Sequence, residues 1–343
     1  MTANASTQRP GPATGDIDAL VVQGLTVTTD DGHRRPVVQN VSFLVGPGEV
    51  VALVGESGSG KSTVCRAVLR LLPRGLSLST GEIRICDTAV TDLSERQMTA
   101  IRGRLVGSVF QDPLSALDPV RRSRPQLLEP RRIHLGRRPK AEEREWARTT
   151  LSELGFADGP RVLAAYPHEL SGGMRQRVCI GIAYAAEPRL VIADEPVTSL
   201  DVSLQRRVLD LVLQRRRETD SSLLIVSHDM EVVRAVADRV VVMYGGRVVE
   251  SGPTEQLLSD PRHPYTRYLI DSERASRLGR EAWQALASEQ GERWSVSPTL
   301  GDGCPYRASC SRAVSQCAER FPDRAEPEPQ RELWCWNPPM TEA

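Results

Sequence analysis

Apolar residues alternate through residues 20–45, at Leu25 and Val27 and then at Val37, Val41, Phe43 and Val45, around a polar break at Asp30-Asp31-Gly32. A period of two interrupted by turn residues predicts a β-hairpin. Residues 49–54 read as a short buried strand, followed by a Gly/Ser loop and an apolar-periodic helix over 61–72 that Pro73 ends. Further short apolar runs lie at 105–110, 190–193, 223–226 and 240–243, with helical stretches between most of them. Strands alternating with helices imply a mainly parallel sheet covered on both faces. Residues 112–188 are rich in Arg, Leu and Glu and show no clear strand, which predicts a helical subdomain. Gly245-Gly246 joins 240–244 to 247–250 as a tight hairpin. Beyond His263-Pro264-Tyr265 the texture changes. Residues 272–290 are polar and helix-compatible, and 291–343 are rich in Cys and Pro with little periodicity. No internal repeat is present.

Composition narrows the class. At ~150 residues per domain, 343 residues suggest about two domains, or one large domain with an extension. Hydrophobic residues at 40% and charged residues at 26% suit a folded core and exclude a disordered chain. The 44 basic and 44 acidic side chains balance, unlike the basic excess of a general nucleic-acid binder. No apolar run reaches the ~18 residues of a membrane-spanning helix. Residues 1–16 read as a flexible polar tail without a signal-peptide pattern. The expectation is a cytosolic protein, or one held at a membrane only by partners. Lys61 and Lys140 are the only lysines among the 44 basic residues, so each is informative.

Gly55-Glu56-Ser57-Gly58-Ser59-Gly60-Lys61-Ser62, with Thr63 after it, follows a predicted strand and opens a predicted helix. This is the P-loop pattern in the context it requires. The glycines let backbone N–H groups close around phosphate oxygens, and the helix N-terminus favours negative charge. Lys61 is expected to reach the β- and γ-phosphates, and the Ser62 hydroxyl to bind Mg²⁺. The run Leu190-Val191-Ile192-Ala193 delivers Asp194 and Glu195 at the end of a strand, where ligands bind in open α/β sheets. Asp194 is the expected Mg²⁺ partner and Glu195 the group that polarises the attacking water. Gln111 and His228 follow two other strands. They are candidates for touching Mg²⁺ with the lytic water, and the γ-phosphate, respectively.

Leu170-Ser171-Gly172-Gly173-Met174-Arg175-Gln176-Arg177 resembles the signature motif of ABC-type ATPases. With Gln111, the Ser199-Leu200-Asp201 loop and His228, the motif order from about residue 20 to residue 253 is similar to an ABC nucleotide-binding domain. The resemblance implies a P-loop α/β fold with a mixed-sheet core, an antiparallel β subdomain, a helical subdomain over about 112–188, and a small Cys-rich C-terminal module. The implied boundaries are a tail over 1–16, an ATPase domain over 17–265 and an extension over 266–343. It also implies that Ser171, Gly172, Gly173 and Asp201 act in trans on ATP held by a partner subunit, in a head-to-tail sandwich.

A narrower resemblance rests on Val109-Phe110-Gln111-Asp112-Pro113, Tyr166-Pro167-His168-Glu169, Ala193-Asp194-Glu195-Pro196, His263-Pro264-Tyr265-Thr266 and Gly303-Cys304-Pro305-Tyr306. These are similar to ATP-binding subunits of oligopeptide/dipeptide ABC importers. That implies two membrane permeases, a second ATPase subunit (a distinct homologue, or a copy of this chain), an extracytoplasmic binding protein, no nucleic acid, and a peripheral place at the cytoplasmic face of the membrane. The alternatives are an importer of nickel chelates, sugars or modified peptides, and a soluble ABC ATPase without a transporter. The chain departs from the family where Thr29 stands at the position of an adenine-stacking aromatic, where Val197 replaces a common Thr, and where no Pro-rich stretch precedes Cys304.

Cys65, Cys86 and Cys179 read as small core residues. Cys304, Cys310, Cys317 and Cys335 crowd the C-terminal region, and in a cytosolic setting such a cluster reads as metal binding before disulfide. A [4Fe-4S] cluster, Zn²⁺ and free or disulfide-linked thiols remain open; the resemblance includes members with a [4Fe-4S] site here. Trp334 and Trp336 flank Cys335, either shielding a cluster or packing the segment. Arg121, Arg122, Arg124, Arg131, Arg132, Arg137 and Arg138 are either a solvated helix face or a contact for a permease helix or anionic headgroups.

Overall fold

The computed structural model describes residues 17–197, 202–281, 284 and 301–339. The alternating N-terminal segment forms the hairpin β1 (Leu20–Thr29) and β2 (Pro36–Val45), paired antiparallel. The strand β3 (Val50–Val54) is buried along its whole length and leads through the Gly/Ser loop into α1 (Lys61–Val68). The helix stops short of residue 72 because Arg70 takes a left-handed φ of 55°, its guanidinium bonded to the Val90 and Thr91 carbonyls. The strands β4 (Leu76–Ile85) and β5 (Thr88–Ala89) complete a four-stranded antiparallel sheet in the order β2-β1-β4-β5.

After α2 (Glu95–Ile101) and β6 (Val106–Val109) comes the expected helical stretch, with α3 (Pro113–Ala116), α4 (Ser123–His134), α5 (Lys140–Glu153), α6 (Gly159–Ala164) and α7 (Gly172–Tyr184). It packs on the sheet through α7. A Cβ on Gly107 of β6 would come within 2.2 Å of the Ala183 carbonyl oxygen, so only glycine permits this approach. The chain then alternates through β7 (Leu190–Asp194), α8 (Val202–Thr219), β8 (Ser222–Val226), α9 (Met230–Val236) and β9 (Arg239–Tyr244). β7 and β8, like β3, are buried throughout, as central parallel strands covered on both faces must be.

β10 (Arg247–Pro253) returns antiparallel to β9 through Gly245-Gly246, and is followed by α10 (Thr254–Ser259) and α11 (Pro264–Leu278). The position expected to divide the ATPase domain from its extension, 265/266, falls inside α11. Farther on, α12 (Gln316–Glu319) precedes a second hairpin, β11 (Ala325–Glu328) and β12 (Arg331–Leu333). β12 pairs with β10, so the main sheet runs β11-β12-β10-β9-β3-β8-β7-β6. The strands between Cys317 and Cys335 therefore continue the main sheet. Arg331, 1% exposed, makes a 2.7 Å ion pair with Glu250, 0% exposed, and also bonds the Asp260 carbonyl. Glu250 accepts further bonds from the Arg262 and His263 N–H groups at 2.9 Å. Removing either member of such a buried pair typically costs about 3–5 kcal/mol. The exposed edge strand carries Glu326 and Pro327, which discourage pairing with another chain.

Candidate functional site

The loop between β3 and α1 is shaped by its glycines. Gly55 has φ 147°, and a Cβ there would meet the Met243 carbonyl oxygen at 2.2 Å; Gly60, which precedes α1, has φ 99°. Lys61 is 5% exposed and turns back on its own loop, its Nζ donating to the Gly55 and Glu56 carbonyls at 2.7 Å and to Ser59 Oγ at 3.2 Å. Burial pushes its ammonium below the usual lysine range, opposed by the charges of Glu195 and Asp194. Ser57, Gly58, Ser62 and Thr63 complete the loop and the first turn of α1.

Three other strand ends converge on this loop. Asp194 closes β7, and its Oδ1 accepts the Ser62 hydroxyl at 3.0 Å. Burial pushes the Asp194 carboxyl up, and the bond from Ser62 opposes it. Glu195 takes a left-handed φ of 47° and donates its N–H to the Val226 carbonyl at 3.1 Å, which ties it to the end of β8. Its carboxylate receives Gln111 Nε2 at 3.0 Å and lies 3.5 Å from His228 Nδ1. Gln111, Glu195 and His228 thus meet from beyond β6, β7 and β8.

The signature residues stand elsewhere. Ser171 caps α7, its Oγ accepting the Met174 N–H at 3.3 Å. Ser171 and Gly172 are exposed, and a Cβ on Gly172 would meet nothing within 4 Å. Twelve residues of helix, at about 1.5 Å each, carry Ser171 roughly 18 Å from the point where Ala183 meets β6. Ser199 and Asp201 lie outside the described residues. Thr29, in place of an aromatic ring, donates its hydroxyl to Asp31 at 2.7 Å and accepts the Arg35 N–H at 3.1 Å. The Thr29 hydroxyl, and after it the Arg35 guanidinium at 2.6 Å, draw the Asp31 carboxyl down to about 2.

Sequence reasoning missed one contact on the loop. The Tyr265 hydroxyl, from the first turn of α11, accepts the Glu56 N–H at 2.8 Å across 209 positions of sequence. The His263-Pro264-Tyr265 run marks the residue, and its partner is visible only once the chain is folded.

The Cys-rich segment packs behind that tyrosine. The Cys304 N–H donates to the Cys317 carbonyl at 2.8 Å, and the Trp334 N–H to the Val249 carbonyl at 3.0 Å. Trp334 packs on the core beneath the β1–β2 sheet, and Trp336 donates its indole N–H to the Arg320 carbonyl at 3.1 Å. Burial pushes the Cys304 thiol up to about 11 and the Cys335 thiol to about 12, with the neighbouring cysteines adding to both. Among the described residues, no three His, Cys, Asp or Glu side chains are gathered as they would be around a single metal ion.

Residues 38–198 match the ABC transporter family, and residues 249–317 match the C-terminal region of oligopeptide/dipeptide transporters. A probable peptide ABC transporter ATP-binding protein of Sinorhizobium fredii is 40% identical over 301 residues, covering 87% of this chain and 88% of its own length. The chain belongs to the ATP-binding subunits of peptide ABC importers. A second such subunit, the probable D,D-dipeptide transport ATP-binding protein DdpD of Escherichia coli, is 40% identical over 88% of this chain and 90% of its own length. Among solved structures, the ATP-binding cassette MJ0796, a dimer in a post-hydrolysis state with ADP and Pi, aligns with TM-score 0.62 and 27% identity, covering 68% of this chain and 98% of that one. The ABC ATPase fold and ATPase class follow for this importer subunit, and among its described residues no helix is long and apolar enough to cross a membrane.

Proposed function

We propose that this chain hydrolyses ATP to power peptide uptake across the cytoplasmic membrane, as one half of a head-to-tail pair of ATPase subunits. The observation that carries this reading is the convergence of Gln111, Glu195 and His228 beside a P-loop whose Ser62 is already bonded to Asp194. Gly55 to Thr63 wrap the phosphates. Lys61, now satisfied by its own loop carbonyls, exchanges them for β- and γ-phosphate oxygens. Ser62, Asp194 and Gln111 offer hard oxygen donors suited to Mg²⁺, and a divalent cation offsets the cost of burying the Asp194 charge. An ion held there would neutralise charge on the phosphates. Glu195, held by Gln111 and His228, takes a proton from the water that attacks the γ-phosphorus as the bond to ADP breaks. A placed general base contributes about 10²–10⁴ in rate. His228 donates toward the γ-phosphate. Ser171, Gly172, Gly173 and Asp201 serve ATP bound to the partner subunit.

Residues 17–265 form the ATPase unit on this reading, with 112–188 its helical subdomain and 266–343 the extension. A groove of about 600 Å³ in the helical subdomain supports permease docking, with Leu128 and Leu163 in its floor and Arg122, Arg124, Arg132 and Arg148 along its sides. The chain would then sit peripherally at the cytoplasmic face, beside two permeases and a second ATPase subunit.

Cys304, Cys310, Cys317 and Cys335 suit a [4Fe-4S] cluster better than Zn²⁺. Cys310 and Cys317 are near enough to help raise the Cys304 and Cys335 thiols, yet among the described residues no three close on one point. Zinc would draw every sulfur to about 2.3 Å from one ion. A four-iron cluster gives each thiolate its own iron, and here it would brace the segment. Anaerobic purification yielding about four irons and four sulfides per chain supports this, and one zinc per chain refutes it.

The function is tested by reconstituting the chain with its permeases and second ATPase in vesicles. ATP-driven uptake of labelled peptide, lost in Lys61→Ala, is expected. Uptake that persists in that variant overturns the assignment.

A further inference from the structure

The helix α11 touches the nucleotide site at both ends. At its start, Tyr265 is 0% exposed and its hydroxyl accepts the P-loop N–H of Glu56. His263 caps the helix, its Nδ1 accepting the Tyr265 N–H at 3.1 Å. The Tyr265 ring is wedged between Tyr244, at the end of β9, with ring centroids 4.4 Å apart, and Tyr306, at 5.4 Å. Tyr306 lies two residues after Cys304, so the Cys-rich segment braces the ring that holds the loop.

Two to three turns on, the same helix grips the segment after His228. Glu273 Oε2 accepts the Met230 N–H at 2.8 Å, at the first residue of α9. Arg277 bonds Asp229, the N-cap of α9, at 3.1 Å, and also pairs with Glu231 and Glu273. From Tyr265 to Arg277 the helix spans roughly 18 Å at about 1.5 Å per residue. One rigid element thus holds the loop that would wrap the phosphates and the residue next to His228.

We propose that α11 is a strap that positions the two sides of the nucleotide site, with Tyr265 a positioning residue for the P-loop and Arg277 a positioning residue for His228. This rests on the ATPase reading above. The two ends have separable effects. Tyr265 acts on a loop that binds ground-state phosphates, so its loss weakens ATP binding. Arg277 acts through a group expected at the γ-phosphate, so its loss slows the chemical step.

The test compares Tyr265→Phe and Arg277→Leu in the full chain assembled with its transporter partners. Nucleotide binding is read with a fluorescent ATP analogue, turnover by phosphate release, and folding by the thermal midpoint. Tyr265→Phe keeps the ring and removes only the acceptor. It should raise the KM for ATP about fivefold with kcat within about twofold, as loss of uniform binding requires. Arg277→Leu should lower kcat about fivefold with KM nearly unchanged. Tyr268→Phe, one turn along and without a hydrogen bond from its hydroxyl to the loop among the described residues, should leave both constants alone. A wild-type KM in Tyr265→Phe, an equal change in Tyr268→Phe, or losses that track only the thermal midpoint overturn the strap. If Glu195→Gln turns over as fast as the wild type, the fault lies in the ATPase reading.

Discussion

The P-loop and the signature motif are both glycine-containing helix starts, and the structure treats them oppositely. Around the P-loop every key group has a partner within the chain: Lys61 on its own carbonyls, Ser62 on Asp194, Gln111 and His228 on Glu195, and the Glu56 N–H on Tyr265. At the signature, the Ser171 hydroxyl makes a cap bond within its own helix, and Gly172 faces open space. A helix N-terminus with exposed N–H groups is an anion site. On the proposed reading, the chain supplies this site and the partner subunit's ATP supplies the anion. The difference then teaches that one chain carries two unlike halves of a reaction centre.

The largest expected effect comes from breaking the closed half. Glu195→Gln should cut turnover by about 10²–10⁴ while ATP still binds, and an ATP-loaded dimer should accumulate on gel filtration. Undiminished turnover would remove Glu195 from the role of base. Next is the open half. Gly172→Asp has room for its side chain, so the fold and single-chain ATP binding should persist. Its carboxylate would oppose the partner's phosphate, and turnover should drop by about 10²-fold. If turnover and dimer formation survive that charge, the signature does not meet nucleotide. Lys61→Ala should weaken ATP binding at least ~10-fold, as loss of a charge-assisted bond of about 1.5–3 kcal/mol implies; titration calorimetry measures it.

The smallest effect concerns the cap of α11. A free histidine titrates near 6.5, and burial holds His263 down to about 3. Between these values the unfolded chain takes up a proton that the folded chain refuses, so stability falls as the pH falls. From pH 6.5 to 5 the loss is about 2 kcal/mol. His263→Asn keeps a capping acceptor and should flatten that slope. Urea midpoints at the two pH values check it, and an unchanged slope would mean that other groups set the acid sensitivity.

Much of the arrangement around the P-loop was legible because its cues are local. A strand, Gly-rich loop and Lys-Ser opening a helix are contiguous from residue 50 to 62, and Asp194-Glu195 directly follows an apolar run. Gln111 and His228 were readable as residues just past strand ends. The Tyr265–Glu56 bond was not, since no local pattern links residues 209 positions apart. The hairpin β11–β12 was also missed. Ala325-Glu326-Pro327-Glu328 lacks the alternation of a half-buried strand, and it pairs with β12, which itself takes the open edge of β10. β4 shows the reverse: its Leu76-Ser77-Leu78-Ser79 alternation was a readable strand cue that the sequence reading passed over.

The Arg331–Glu250 pair has a consequence for how the protein is made. Translation delivers Glu250 eighty-one residues before the guanidinium that neutralises it. Until then β10 is an uncovered edge, and its carboxylate has the Arg262 and His263 N–H groups but no guanidinium to offset leaving water. The nascent ATPase therefore cannot complete its sheet until the ribosome has passed Arg331. A premature stop anywhere between Cys317 and Arg331 would spare the P-loop and the residues around it, and still leave β10 with an open edge and Glu250 without its cation.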